Sequence, residues 1–334
     1  MELNELLQAA SEDQQLVDVD LSGVDLSGRD LSGWTLINLN LANATLVGTV
    51  LHGAYLQNIK LSGARLQKLQ AHESNWSDID FSDAQCQEAD FQHAVFSNCR
   101  FDGASLAGAQ LVRCDMNDVS LAQVDVSGAD LTRWTVMNSD LTTVKFERAK
   151  MEQAFFRGSN LAGQRFPACD LTMTNFSECQ LPKADFAGAV LDRTSFLSAQ
   201  LPEANFSNAS GIYICFIDAQ GQKANFSGVK FDMSDASGAD FTDAQGVGGS
   251  WHMSVMHKTV WQQAQLKQSK WVYCDLSNAV FNGADCSAAD LGGANIHAML
   301  QKDTRWDGAN FDGVRPTDPA LEKAEQWQPK AAAR

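Results

Sequence analysis

FSGVKFDMSDASGADFTDAQG, residues 226–246, places Phe at 226, 231 and 241 and leaves Ala236 at the one multiple of five that Phe skips. A step of five belongs to neither regular element. On a helix, five residues advance the chain by ~500°, so the apolar positions scatter around the cylinder. On a flat strand an odd step turns every second apolar residue outward. A chain that turns a corner every five residues satisfies the pattern, provided successive turns stack and pair their backbone groups as strands do. That is a β-solenoid.

The register runs far beyond this stretch. Stepping by five from Leu16 to Phe311 gives 60 centres, 56 of them apolar; the exceptions are Gly211, Gly221, Gly246 and Gln301. Seventeen of the 18 Phe fall on it, with only Phe155 out of step. The register never slips, which predicts a wall without inserted loops. Two residues before each centre small residues recur (Ala84, Ala89, Ala94), and one before it Asp or Asn (Asp20, Asp25, Asn295). Ser, Thr and Gly follow the centre, and Pro167, Pro182 and Pro202 stand immediately after theirs, which is tight-turn chemistry.

In this register GVGGSWHMSVMHKTVWQQ (246–263) is not a phosphate loop. Trp251 and Trp261 are centres, as is Trp271 beyond, and Gly246 and Gly249 point inward. Large side chains offset by absent ones conserve core volume, which predicts packing here and accounts for Ala236.

Segments such as ADFTD (239–243), ANFSG (224–228) and ADLTR (129–133) resemble the A(D/N)LXX motif of the pentapeptide-repeat family, from Leu16 to Phe311. The resemblance implies an all-β fold, a right-handed quadrilateral β-helix with four pentapeptides per coil. Sixty repeats then make about 15 coils, a rod ~70 Å long at the ~4.8 Å spacing of paired strands. The expected organisation is an N-terminal helical cap over 1–13, the β-helix over 14–313, and a C-terminal helix and tail over 314–334.

Both ends carry helical patterns. Leu3, Leu6, Leu7 and Ala10 form a face that could cover the first coil. Near the other end Asp318 reads as an N-cap with Pro319 at the first helical position. Leu321, Ala324 and Trp327 make an apolar face, either a cap or a dimerisation element, so monomer and homodimer both stay open; KAAAR at 330–334 reads as a frayed tail.

The net charge of −16 argues against direct binding to nucleic acid or an anionic membrane. No apolar run approaches the ~20 residues of a membrane span. The start, MELNELLQAASEDQQ, is acidic, with no basic region and no apolar signal core, so a cytoplasmic home is expected, with export by a signal-less secretion system left open. Of the eight Cys, five (99, 114, 169, 179, 274) take the small inward position and Cys86 and Cys286 are centres; only Cys215 should face out. Reduced interior thiols are expected. His52 and His72 share an outward column with Glu73 beside them, which reads as solvated side chains or a weak surface metal site. No nucleophile, base and orienting group can be assembled. Neither enzyme activity nor a cofactor is expected.

Binding to another protein is the expected function, and two forms of it stand. One is an interaction scaffold or adaptor of bacterial type; long, loop-free members of the family occur among secretion-system and effector-associated proteins, which makes such a component a candidate partner. The other is a DNA mimic acting on gyrase, as acidic members that protect gyrase from quinolones do. Duplex DNA carries a charge every ~1.7 Å, whereas the four faces here sum to only −6, −4, −3 and 0. Gyrase-protecting members also commonly carry projecting loops or a broken register, and neither is present.

A docking column can be named. At 20 residues per coil, Met173, Arg193, Tyr213, Met233, Met253 and Tyr273 stack two residues after their centres, where the family usually shows Gly or polar residues. Ile212, His252 and Val272 lie beside the column, with Ile217 and Val255 around a corner. Aromatic and Met side chains are enriched in interface cores; equally, stacked side chains stabilise neighbouring strands.

Overall fold

The computed structural model describes residues 3–325 and 327; the expected frayed tail lies outside them. The chain divides into two compact units, Met1–Gln180 and Leu181–Arg334.

The first unit begins with helix α1 (Leu3–Ala10). Seven short strands follow, β1–β7: Gln15–Val17, Thr35–Ile37, Tyr55–Gln57, Asn75–Ser77, Val95–Ser97, Asp115–Asn117 and Thr135–Val136. They pair in parallel in sequence order, each residue with the one 20 further on: Leu16, Leu36, Leu56, Trp76, Phe96, Met116 and Val136 form one column. The other faces are joined by single bridges of the same step, as in Asp25↔Thr45↔Arg65↔Gln85↔Ser105. In the second unit β8 (Ser210–Ile212) pairs with β9 (Lys230–Asp232), and bridges of 20 residues run from Asp185↔Asn205 to Asn295↔Arg315. Each unit is therefore a parallel β-solenoid of four pentapeptides per turn. Regular strands span fewer turns than the about 15 expected, because a corner every five residues leaves at most three residues extended.

The turn chemistry explains each typed position. The residue two after the centre is left-handed everywhere but at Thr143, with φ of +51° to +60° where it is not Gly. The Asp or Asn before the centre accepts the N–H of the residue after it, as in Asp25 to Ser27 (2.9 Å) and Asp235 to Ser237 (2.9 Å). Where Pro takes that later position there is no N–H to receive, and the residue before the centre is Arg165, Gln180 or Gln200 instead. Asx and Pro are alternative ways of fixing the same corner.

The centres are buried, and in the second unit Phe186, Phe206 and Phe226 stack at 4.9 and 5.2 Å. A Cβ on Gly221 would sit 2.8 Å from the Phe241 ring, and one on Gly246 2.8 Å from Leu266. Ala236 is fully buried near Phe216, whose ring reaches Phe231 (5.8 Å) and Trp251 (6.2 Å). The skipped Phe is thus a matter of volume: neighbouring rings fill its place.

The ends differ. The centres of the first coil, Leu16, Leu21, Leu26 and Leu31, are buried, with Leu6, Leu7 and Ala10 of α1 half-buried. At the other end α2 (Pro319–Glu325) starts as expected: Asp318 Oδ1 accepts the N–H of Ala320 (2.8 Å) and Leu321 (3.3 Å). Its apolar face does not cap the last coil, however. Leu321 is 48% and Trp327 72% exposed, and Ala324 is exposed too. Glu325 instead faces the body, with Oε2 3.3 Å from His297 Nε2, and the His297 Nδ1 accepts the Asp318 N–H (3.1 Å).

Candidate functional site

The column of the second unit follows from the turn. A left-handed residue at the corner directs its side chain away from the core, so whatever type stands there is displayed. Tyr213, Met233, Met253 and Tyr273 have φ of +58°, +51°, +56° and +58°. They are 51%, 37%, 54% and 63% exposed. Backbone bonds tie consecutive members to the next coil, Met233 N–H to His252 O (2.8 Å) and Met253 N–H to Val272 O (3.0 Å). His252 packs edge-on to Tyr273 at 5.9 Å. Ile212 and Val255 are exposed, while Ile217, His252 and Val272 are half-buried. The Tyr273 ring lies over the next member of the column, Gly293, where an added Cβ would meet it at 2.5 Å. The result is an apolar, polarisable strip on rigid backbone, suited to a protein surface rather than to bond-making chemistry.

The wall carries no inserted loop, but one feature of the first unit departs from the regular ladder. The strand-to-strand ladder opens beside residues 142–148. Among the described residues no bridge joins Lys145 to Arg165 or Lys150 to Asp170, although both lysines pair with the preceding coil. Gln164 occupies a small inward position and donates from Nε2 to the carbonyls of Leu141 (2.7 Å), Thr142 (3.1 Å) and Val144 (2.9 Å). Thr143 is the one residue at its turn position between 18 and 313 that is not left-handed, as befits its β-branch. Its Oγ1 accepts the Gln123 N–H (2.9 Å). The opening is a cleft of about 530 Å³. A second, of about 260 Å³, lies between Met116–Val119 and Met137–Asp140. Cys169, expected inside, is consequently half-exposed at the larger cleft. The sequence carries a signal for it: a β-branched residue where every other tolerates positive φ, and a long amide where Ala is usual.

The remaining thiols lie as expected, with Cys215 half-exposed and no disulfide among the eight. Burial first, and then the charge of Asp78, push the Cys99 thiol up to about 12. His52 and His72 stack with ring centroids 3.6 Å apart. Burial, and then the charge of His72, hold His52 below the usual imidazole range. Among the described residues no group of three or more His, Cys, Asp or Glu could hold a metal, and no helix is long and apolar enough to cross a membrane.

Comparison with known proteins bears on the fold. A family model described as "Pentapeptide repeat region" matches residues 72–156 and 139–210, and one described as "Pentapeptide repeats (8 copies)" matches 15–53, 30–67 and 262–297. No curated protein matches. Among solved structures, HetL, a pentapeptide repeat protein involved in heterocyst differentiation regulation in the cyanobacterium Nostoc sp. strain PCC 7120, is 17% identical over 94% of this chain and 96% of its own, at a TM-score of 0.22. Full-length QnrB1, a plasmid-mediated fluoroquinolone resistance protein, is 13% identical over 93% and 96%, at 0.19. A pentapeptide repeat protein of the Arabidopsis thaliana thylakoid lumen is 25% identical over 37% and 68%, at 0.18. Scores this low carry no role across to this chain.

Proposed function

The chain belongs to the pentapeptide-repeat family, and from that premise we propose that it is a non-enzymatic binding scaffold whose protein partner docks on the Tyr213–Met233–Met253–Tyr273 column. The observation that carries the proposal is four consecutive coils displaying a large apolar side chain at a left-handed position that takes Gly or polar residues along most of the chain. A purely structural ladder would hide these groups against one another; instead each keeps over a third of its surface in water. Exposed Tyr and Met concentrate binding energy and adapt to irregular partners. The same scaffold pairs with a second copy through Leu321, Ala324 and Trp327, which the described structure leaves uncovered.

The test replaces Tyr213, Met233, Met253 and Tyr273 together by Asn, which tolerates positive φ and so spares the turns. Affinity capture from a bacterial lysate with parent and variant, read by mass spectrometry, should show a partner retained by the parent and lost by the variant at unchanged melting temperature. A lower melting temperature with the same proteins retained would make the column structural. Gyrase binding by an acidic face is the competing form: inhibition of supercoiling at micromolar protein, equal in parent and variant, would replace the column reading.

A further inference from the structure

The spacing of coils in the second unit limits what can lie along its exposed column. Rings one coil apart stand 4.9 Å (Phe186 to Phe206) and 5.2 Å (Phe206 to Phe226) from each other. Tyr213, Met233, Met253 and Tyr273 therefore form a ridge with a step of ~5 Å, the spacing of paired strands. An α-helix laid along the ridge presents one residue to it per turn, every ~5.4 Å, in the order i, i+4, i+7, i+11. Over the length of the ridge the two rows part by only ~1–2 Å. An extended segment presents every second residue, ~6.6 Å apart, and falls almost a full coil out of phase over the same distance. Strand addition has no edge to use here, because the ladder runs on through Ser210↔Lys230, Lys230↔Ser250 and Ser250↔Lys270.

Charge flanks the ridge in every second coil. On one side the rungs read Ser210, Lys230, Ser250, Lys270; around the corner on the other they read Cys215, Asp235, Val255, Asp275. Like charges two coils apart are ~10 Å from each other, close to the ~10.5 Å between residues i and i+7 of a helix. Both lysines are exposed. Both aspartates are held through Oδ1, by the N–H of Ser237 (2.9 Å) and of Ser277 (3.0 Å). Asp232, on the same strand as Lys230, offsets one lysine, so the acidic side is the stronger.

On the reading that the column is the docking surface, we infer that the docked segment of the partner is an amphipathic α-helix. Its apolar stripe lies on the ridge, whose side chains enter the grooves between its turns. Its basic edge lies beside Asp235 and Asp275.

The experiment selects two displayed peptide libraries against the full chain. One fixes Leu or Met at i, i+4, i+7 and i+11 of a helix-forming background and randomises the flanks. The other alternates apolar and randomised residues on a strand-forming background. Binders are measured by fluorescence anisotropy on the parent and on two variants. The column variant carries Tyr213→Asn, Met233→Asn, Met253→Asn and Tyr273→Asn. The edge variant carries Asp235→Asn and Asp275→Asn, which keep an oxygen for the turn and remove the charge. Helical binders should carry Lys or Arg on one flank, weaken more than about tenfold on the column variant and severalfold on the edge variant. Helical binders that hold the column variant as tightly as the parent, or that lack the basic flank, overturn the inference. So does the absence of any binder from the helical library. Strand-library binders lost on the column variant would then keep the column as a docking surface and change only what docks there.

Discussion

Gly211 and Gly221 both stand at centres, yet they lack a side chain for different reasons, and the difference can be measured. A Cβ on Gly221 would press on the Phe241 ring, which can tilt, whereas one on Gly211 would lie 2.7 Å from the carbonyl carbon of Leu191 in the coil before. Backbone cannot yield without breaking its own ladder. Gly211→Ala is therefore expected to cost about 2–3 kcal/mol and Gly221→Ala about 1 kcal/mol, the upper and lower ends of overpacking penalties, read from denaturant midpoints. Charge at single residues sets the pH response. His52 binds its proton more weakly folded than unfolded, so its contribution to stability is present above the ordinary imidazole range and is lost as pH falls through it. Asp25, held low by the Ser27 hydroxyl and N–H, and Asp285, held low first by the Ser287 hydroxyl, give stability that persists to lower pH and is lost only below the usual carboxylate range. Thermal melts should fall in two stages on acidification, and His52→Gln should remove the first while leaving the second.

At the scale of elements, legibility depended on whether a residue's partner is fixed by the repeat. The inward positions of Trp251, Phe241 and Cys99 could be read from a step of five, because each coil supplies the next with its neighbours. The cleft could not, since Thr143 and Gln164 keep the binary pattern intact; their misfit concerns dihedral angle and side-chain length, which apolar periodicity does not record. The orientation of α2 is a similar case. Leu321 and Ala324 show that the helix has an apolar side, but two polar ties, Glu325 to His297 and Thr317 Oγ1 to the Ala298 N–H (3.1 Å), turn that side outward. Such contacts involve residues outside the repeat and leave no periodic trace. An uncovered Leu321 and Trp327 predict self-association: deletion of residues 318–334 should give a soluble monomer where the parent sediments as a dimer. Asp318→Ala, which removes the cap, should weaken the dimer by about 1 kcal/mol without dissociating it fully.

For the whole molecule, stability is close to a sum of coil terms and nearest-neighbour terms, since every long-range rung described spans 20 residues or one turn's equivalent. This leads to an inversion in how deletions should behave. Removing residues 91–110 takes out one complete turn. Trp76 then faces Met116, Phe81 faces Leu121 and Ala71 faces Leu111, all apolar centres, and Asp90 is followed by Leu111 in unbroken register. Removing only residues 91–94 deletes a fifth as much chain, yet it leaves a step of six from Cys86 to Phe96 where a step of five belongs. The extra residue must bulge from the wall, and either Phe96 or the backbone around it loses its partner in the adjoining coil. Exposing a Phe of this kind costs about 1.5–3 kcal/mol before any backbone bond is counted. The 20-residue deletion is therefore expected to keep a cooperative melt a few degrees below the parent, while the four-residue deletion melts lower and broadens. Should the larger deletion prove the more damaging, coils would be coupled beyond their nearest neighbours, and additivity along the solenoid would fail.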